Sequence, residues 1–188
     1  MKVLAVVVVL GGALWLWTTH ERNTTEHRLA GIASQLAGRH VGVECQGFWA
    51  AMLDIGNREG EVDFPASGEP PDHMFLTRDV CARLRSFDPH HLDCLQSVDW
   101  STWSIAEDFY GSCEKRTRKN VEAINTLTHE SMHLRGIVNE AQAQCGAIRH
   151  DAWTVSQFGG TPEEGAAVAR YMLALQPLLP SEYQFASC

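Results

Sequence analysis

Residues 129–145 read HESMHLRGIVNEAQAQC. The stretch spans the end of one helix, a turn and the start of another. From Lys115 to Arg135 there is no Pro and no Gly, and apolar Val121, Ile124 and Leu127 recur at threefold spacing, which predicts a helix. Gly136 follows a basic last turn and suits a helix C-cap. Asn139 is a good N-cap for a second helix that runs through NEAQAQCGAIRHDAW. Only Gly136, Ile137 and Val138 join the two, so the second helix can fold back toward the end of the first.

On the first helix His129 and His133 stand one turn apart and project from the same face. Two imidazoles at that spacing can grip one zinc ion, and Glu130 is placed to take a proton from a water held there. These are the mechanics of H-E-x-x-H. Zinc needs a third protein ligand and leaves its fourth position to water, whose pKa it lowers toward ~7. Glu140, in the first turn of the second helix, can reach that role. Its other reading is a carboxylate that complements the helix dipole.

HESMH followed by NEAQAQC resembles the zincin metallopeptidases of the gluzincin type, in which a zinc-binding Glu follows downstream in an E-x-x-x-D setting. Asn139-Glu140-Ala141 matches the N-E-A of thermolysin-like enzymes. Glu140 to Cys145 is close to the E-x-Q-A-D-C run of bacterial neutral zinc metallopeptidases. The resemblance covers about 125–150, under a fifth of the chain. It implies a Zn2+ ion held by His129, His133 and Glu140, with Glu130 as general base and a protein or peptide as substrate. The spacer between His133 and Glu140 is much shorter than in thermolysin. Gly136 stands where the metzincins place a Gly, and Asn139 where they place their third ligand. Asn is a poor zinc ligand, so Glu140 is preferred. Gln144 stands where the family has an Asp that orients a ligand imidazole, and its side-chain carbonyl can accept the same N–H bond. Asn139 and Gln144 are therefore read as outer partners of the site. A donor for a developing oxyanion is sought downstream among His150, Tyr171 and Tyr183.

The whole chain sets the frame. Its 188 residues suffice for one domain with a core. A net charge of −8 argues against nucleic acid as a partner. The basic cluster at Lys115, Arg116, Arg118 and Lys119 reads as a solvated helix face. Behind Met1-Lys2 comes an apolar run, Val3 to Trp17, closed by Trp15 and Trp17. It reads as a signal anchor with the N-terminus inside, or as a cleaved signal peptide. Residues 1–19 are assigned to that segment, 20–30 to a polar tether and 31–188 to the domain. Six cysteines, even in number and without a close pair, read as disulfides of an oxidising, extracytoplasmic compartment, with their pairing open. A bridge at Cys188 would tie down the C-terminal tail.

The fold class expected is α+β and mostly helical, zincin-like, with a small irregular β-hairpin at 60–77 broken by Pro65, Gly68, Pro70 and Pro71. That hairpin supplies the sheet edge along which a zincin substrate lies extended. Short helices are expected across Leu29–Leu36 and at RDVCARLRSF, and a last helix opens with a capping box at Thr161 and stops near Pro177. His90 and His91 read as a solvated loop, and Trp100 and Trp103 as core or interface. Two other functions fit the same residues. One is a zincin-fold module that binds zinc with little or no turnover. The other is a disulfide-stabilised surface domain without metal.

Overall fold

The computed structural model describes residues 2–47, 59–99, 113 and 115–188, with side chains described from Thr18 onward. The architecture is mostly helical with one small sheet. In chain order it comprises α1 (Lys2–Ala37), β1 (Gly42–Cys45), β2 (Gly60–Glu61), β3 (His73–Leu76), α2 (Arg78–Arg85), a 3-10 turn at Pro89–Leu92, α3 (Asp93–Gln96), α4 (Lys115–Leu134), α5 (Glu140–Gln157) and α6 (Pro162–Leu175). Two further 3-10 turns, Gln176–Leu178 and Ser181–Tyr183, lead to the C-terminus.

The helix α4 is the axis of the fold. It packs on α1, α2 and α5, and α5 packs in turn on α6. Its second half is enclosed on every side, since each residue from Leu127 to Leu134 is buried. A helix of that kind cannot be amphipathic there, and its polar groups need partners. Thr128 Oγ1 donates to the Ile124 carbonyl, and Ser131 Oγ donates to that of Leu127. The end of the helix is a Schellman turn. Gly136 lies in the left-handed region at φ 98°, with Gly136 N–H on the His133 carbonyl and Ile137 N–H on that of Met132. Arg39, at the end of α1, donates to the Leu134 carbonyl at 2.8 Å, a cation on the negative end of the helix.

The sheet order is β1-β3-β2. β1 runs parallel to β3, pairing Val43 with Met74 and Cys45 with Leu76, and these four side chains face the core. β2 is the antiparallel edge strand, with Gly60 opposite Leu76 and Glu61 opposite Phe75. The expected hairpin at 60–77 is thus present, with β1 added to it. β1 is only four residues long, and its period-two alternation is too short to announce itself. Glu59, just before β2, is clamped to α4. Its carboxylate accepts from Lys119 Nζ and Thr126 Oγ1, each at 3.3 Å.

Residues 20–30, read as a tether, are helical as part of α1, and burial begins at Thr25 and Leu29. Arg28 lies over the Phe158 ring, 4.5 Å from its centroid. The polar composition hid this because only one stripe of the helix faces the core. The histidines of DPHHL lie on a 3-10 turn capped by Asp88 rather than in an open loop. The backbone of Val3–Trp17 is helical, and its side chains lie outside the described residues, as do Trp100 and Trp103. Among the described residues no helix is long and apolar enough to cross a membrane. The cysteines pair as Cys45–Cys81, Cys94–Cys113 and Cys145–Cys188, the chemistry of an oxidising, extracytoplasmic environment.

Candidate metal centre

Three side chains converge where α4 and α5 meet. His129 Nε2 and His133 Nε2 lie 3.0 Å apart, and Glu140 Oε2 lies 2.9 Å from the first and 3.2 Å from the second. The backbone explains the meeting. One helical turn puts the two imidazoles on one face of α4. The Gly136 turn then reverses the chain, and Asn139 starts α5 by accepting from Gln142 N–H at 2.9 Å. Glu140 therefore opens α5 directly over the two rings. The Asn139 side chain is spent on that cap.

The outer nitrogens decide what the cluster can hold. His133 Nδ1 lies 2.6 Å from the Ile137 carbonyl oxygen, and His129 Nδ1 lies 3.0 Å from Gln144 Oε1. Both partners are acceptors, so both Nδ1 atoms carry the proton in the neutral ring. Both Nε2 atoms then present lone pairs, and they present them to each other and to a carboxylate. Three acceptors within 3.2 Å lack a proton between them. The opposite tautomer would set an unprotonated Nδ1 against a carbonyl. Protonating both rings is opposed at His133, whose pKa is lowered first by burial and then by the neighbouring His129. The Glu140 carboxyl is held below its ordinary range, chiefly by the His129 ring 2.9 Å away. A cation with N/O preference fits this set, and two imidazoles with one carboxylate are zinc donors.

Beside the cluster runs a cleft of about 790 Å³, lined by β2 and by the C-terminal residues Leu179, Pro180, Glu182 and Tyr183 among others. Glu130 lies in it and is buried, outside the group of three donors. The sheet edge comes up against it. A Cβ built at Gly60 would stand 2.7 Å from Glu130 Cγ and 2.9 Å from its Oε1. Only glycine leaves Glu130 its place, and nothing in the local sequence marks that.

Of the three downstream residues considered as donors, Tyr183 is the one at the site. Its ring centroid lies 5.5 Å from that of His129, and it lines the cleft. His150 instead bonds the Gly146 carbonyl of its own helix, and Tyr171 is buried; neither lines the cleft. The tail that carries Tyr183 is fixed by Cys145–Cys188, and Gln184 Nε2 donates to the Pro177 and Leu179 carbonyls. Replacing both cysteines by serine opens a loop of sequence separation 43 and is expected to cost ~2–4 kcal/mol, read as a lower melting temperature. Tyr183 fluorescence or hydrogen exchange in the tail should loosen while α4 stays protected.

Comparison with known protein families, with characterised proteins and with solved structures found no match for this chain. The chemistry of the site therefore rests on its own residues.

Proposed function

We propose that this chain is a zinc-dependent peptidase of compact, gluzincin-like zincin type, acting outside the cytoplasm. One observation carries the reading. Two imidazoles and a carboxylate bring three potential ligand atoms to one point at the buried end of a helix, next to Glu130 and inside a cleft. Zinc bound there supplies Lewis-acid polarisation of a carbonyl and a more acidic water.

The chain's own groups do the rest. Glu130 accepts the water's proton and returns it to the leaving amine. Tyr183, which lines the same cleft beside His129, supplies a phenol as donor to the developing oxyanion. β2 is an edge strand beside the cleft, and an extended peptide adds to it through backbone hydrogen bonds. Glu61 and Glu182 line the same cleft, which favours substrates with basic side chains. The disulfides suit such an extracytoplasmic role, and the apolar Val3–Trp17 run is assigned to membrane anchoring or secretion.

The test is the zinc content of the purified chain together with cleavage of an unstructured peptide library. One zinc per chain and cleavage that is lost to a chelator and restored by zinc are expected. A folded chain that takes up no added zinc would remove the proposal. Gly60→Ala probes the placement of the base. It should leave zinc content unchanged and lower kcat by up to ~10²-fold, because Glu130 must move aside. An unchanged kcat would mean that Glu130 is not held by the sheet edge.

A further inference from the structure

Behind His129 lies a chain of buried polar side chains that the proposed reaction does not use. His129 Nδ1 meets Gln144 Oε1 at 3.0 Å. Gln144 Nε2 donates to Asn125 Oδ1 at 3.0 Å, and Asn125 Nδ2 donates to Asp151 Oδ2 at 2.9 Å. All four residues are buried, and Asp151 is fully enclosed. Asn125 and His129 are one turn apart on α4. Gln144 and Asp151 follow Glu140 on one face of α5 at helical spacing. Two facing stripes thus interleave into a single file.

An amide has an oxygen at one end and an NH2 at the other, so two amides in file can point either way. The terminal group sets the sense. A carboxylate oxygen accepts, so Asn125 turns its NH2 to Asp151 and its oxygen to Gln144. Gln144 must then turn its own oxygen to His129. That oxygen holds the proton on Nδ1 and leaves the Nε2 lone pair facing the cluster. Reversing the file would present an NH2 to His129, shift its proton to Nε2 and remove a donor atom.

We propose that Asp151 is a positioning residue for His129, acting through Asn125 and Gln144 to fix the imidazole tautomer that a metal ion requires. The inference rests on the metal-centre reading and extends it to a residue that touches no ion. It also gives the Gln at position 144 a source of polarity: the carboxylate stands two links further back. Such outer partners are worth ~10–100-fold in metal affinity.

The experiment uses the full chain, metal-free at pH 8, with 15N-labelled histidine. Burial pushes the Asp151 carboxyl up to about 7, so the experiment is run above that value. Long-range 1H–15N spectra report the His129 tautomer, and competition with a chelating dye gives the zinc Kd. Three proteins are compared: wild type, Asp151→Asn, and Asp151→Asn combined with Gln144→Glu. In wild type the Nδ1–H tautomer is expected. An amide at position 151 can donate as well as accept, so the single variant should populate the Nε2–H tautomer and raise Kd by ~10-fold or more. In the double variant a carboxylate at position 144 accepts from His129 directly. Asn125 reverses, donating to that carboxylate and accepting from the amide introduced at position 151. The Nδ1–H tautomer should return, and Kd should return to the wild-type value or below it. A merely structural role for Asp151 predicts no such rescue. An Asp151→Asn protein with wild-type tautomer and Kd would overturn the inference, and so would a weakened Kd that the double variant does not restore. If the single variant does not fold, the wild-type tautomer decides, because Nε2–H there contradicts the relay. A wild-type chain that takes up no zinc defeats the metal reading, and the tautomer spectra still judge the relay.

Discussion

Glu130→Gln is expected to abolish peptide cleavage while the chain keeps one zinc. The two effects separate because Glu130 and the donor cluster are separate. The cluster comprises His129, His133 and Glu140, and Glu130 is buried next to it in the cleft. Glutamine has the shape of glutamate and still fills the space against Gly60, so the fold and the donor triangle should persist. What it lacks is a basic oxygen. Positioned proton transfer contributes typically ~10²–10⁴-fold to a rate, and the loss should fall in that range or below detection. The measurement pairs elemental zinc analysis with kcat on the best peptide from a library. A variant that retains zinc and full turnover would show that another group takes the proton. A variant that loses zinc would show that Glu130 holds the site together rather than working in it.

Much of this geometry could be read from the residues because it is local. The 3.6-residue period, a glycine after a basic turn, Asn at an N-cap and the Thr161 capping box each act within a few residues, and each appears where expected. Glu140 was also within reach, because three linking residues leave little freedom between the helices. The rest depends on partners distant in sequence. Gly60 looks like any loop glycine until β2 is laid against Glu130. Tyr183 is separated from His129 by two helices and is brought back by a disulfide whose partner the sequence does not specify. Asn125 and Asp151 are ordinary polar residues on helices until packing encloses both and joins them. The file they form is a tertiary fact. Its traces in the sequence are the one-turn spacing of Asn125 and His129 and the shared face of Glu140, Gln144 and Asp151.

Glu140→Ala is expected to remove zinc binding more severely than any change behind the ligands. Loss of an outer partner costs ~10–100-fold in affinity, and loss of one of three ligand atoms exceeds that. The variant also leaves two Nε2 lone pairs 3.0 Å apart without the carboxylate that makes the site anionic. Acid should imitate the substitution. The ligands bind metal only when deprotonated. In the folded chain burial holds the His133 pKa below its ordinary value, and the adjacent His129 holds that of Glu140 below the ordinary carboxylate range. The sign follows from linkage: each group contributes stability that is present above its unfolded pKa and lost as pH falls through the folded one. Zinc favours the same deprotonated forms. Affinity carried by these two groups should therefore fall as pH drops through their lowered folded-state values, with protons released on uptake there. Titration of zinc against pH by calorimetry in buffers of different ionisation enthalpy reads both. Proton release that is absent across this range, or an unchanged Kd in Glu140→Ala, would mean that the ion is held elsewhere. The convergence of the three donor atoms would then have to be explained by a shared proton alone.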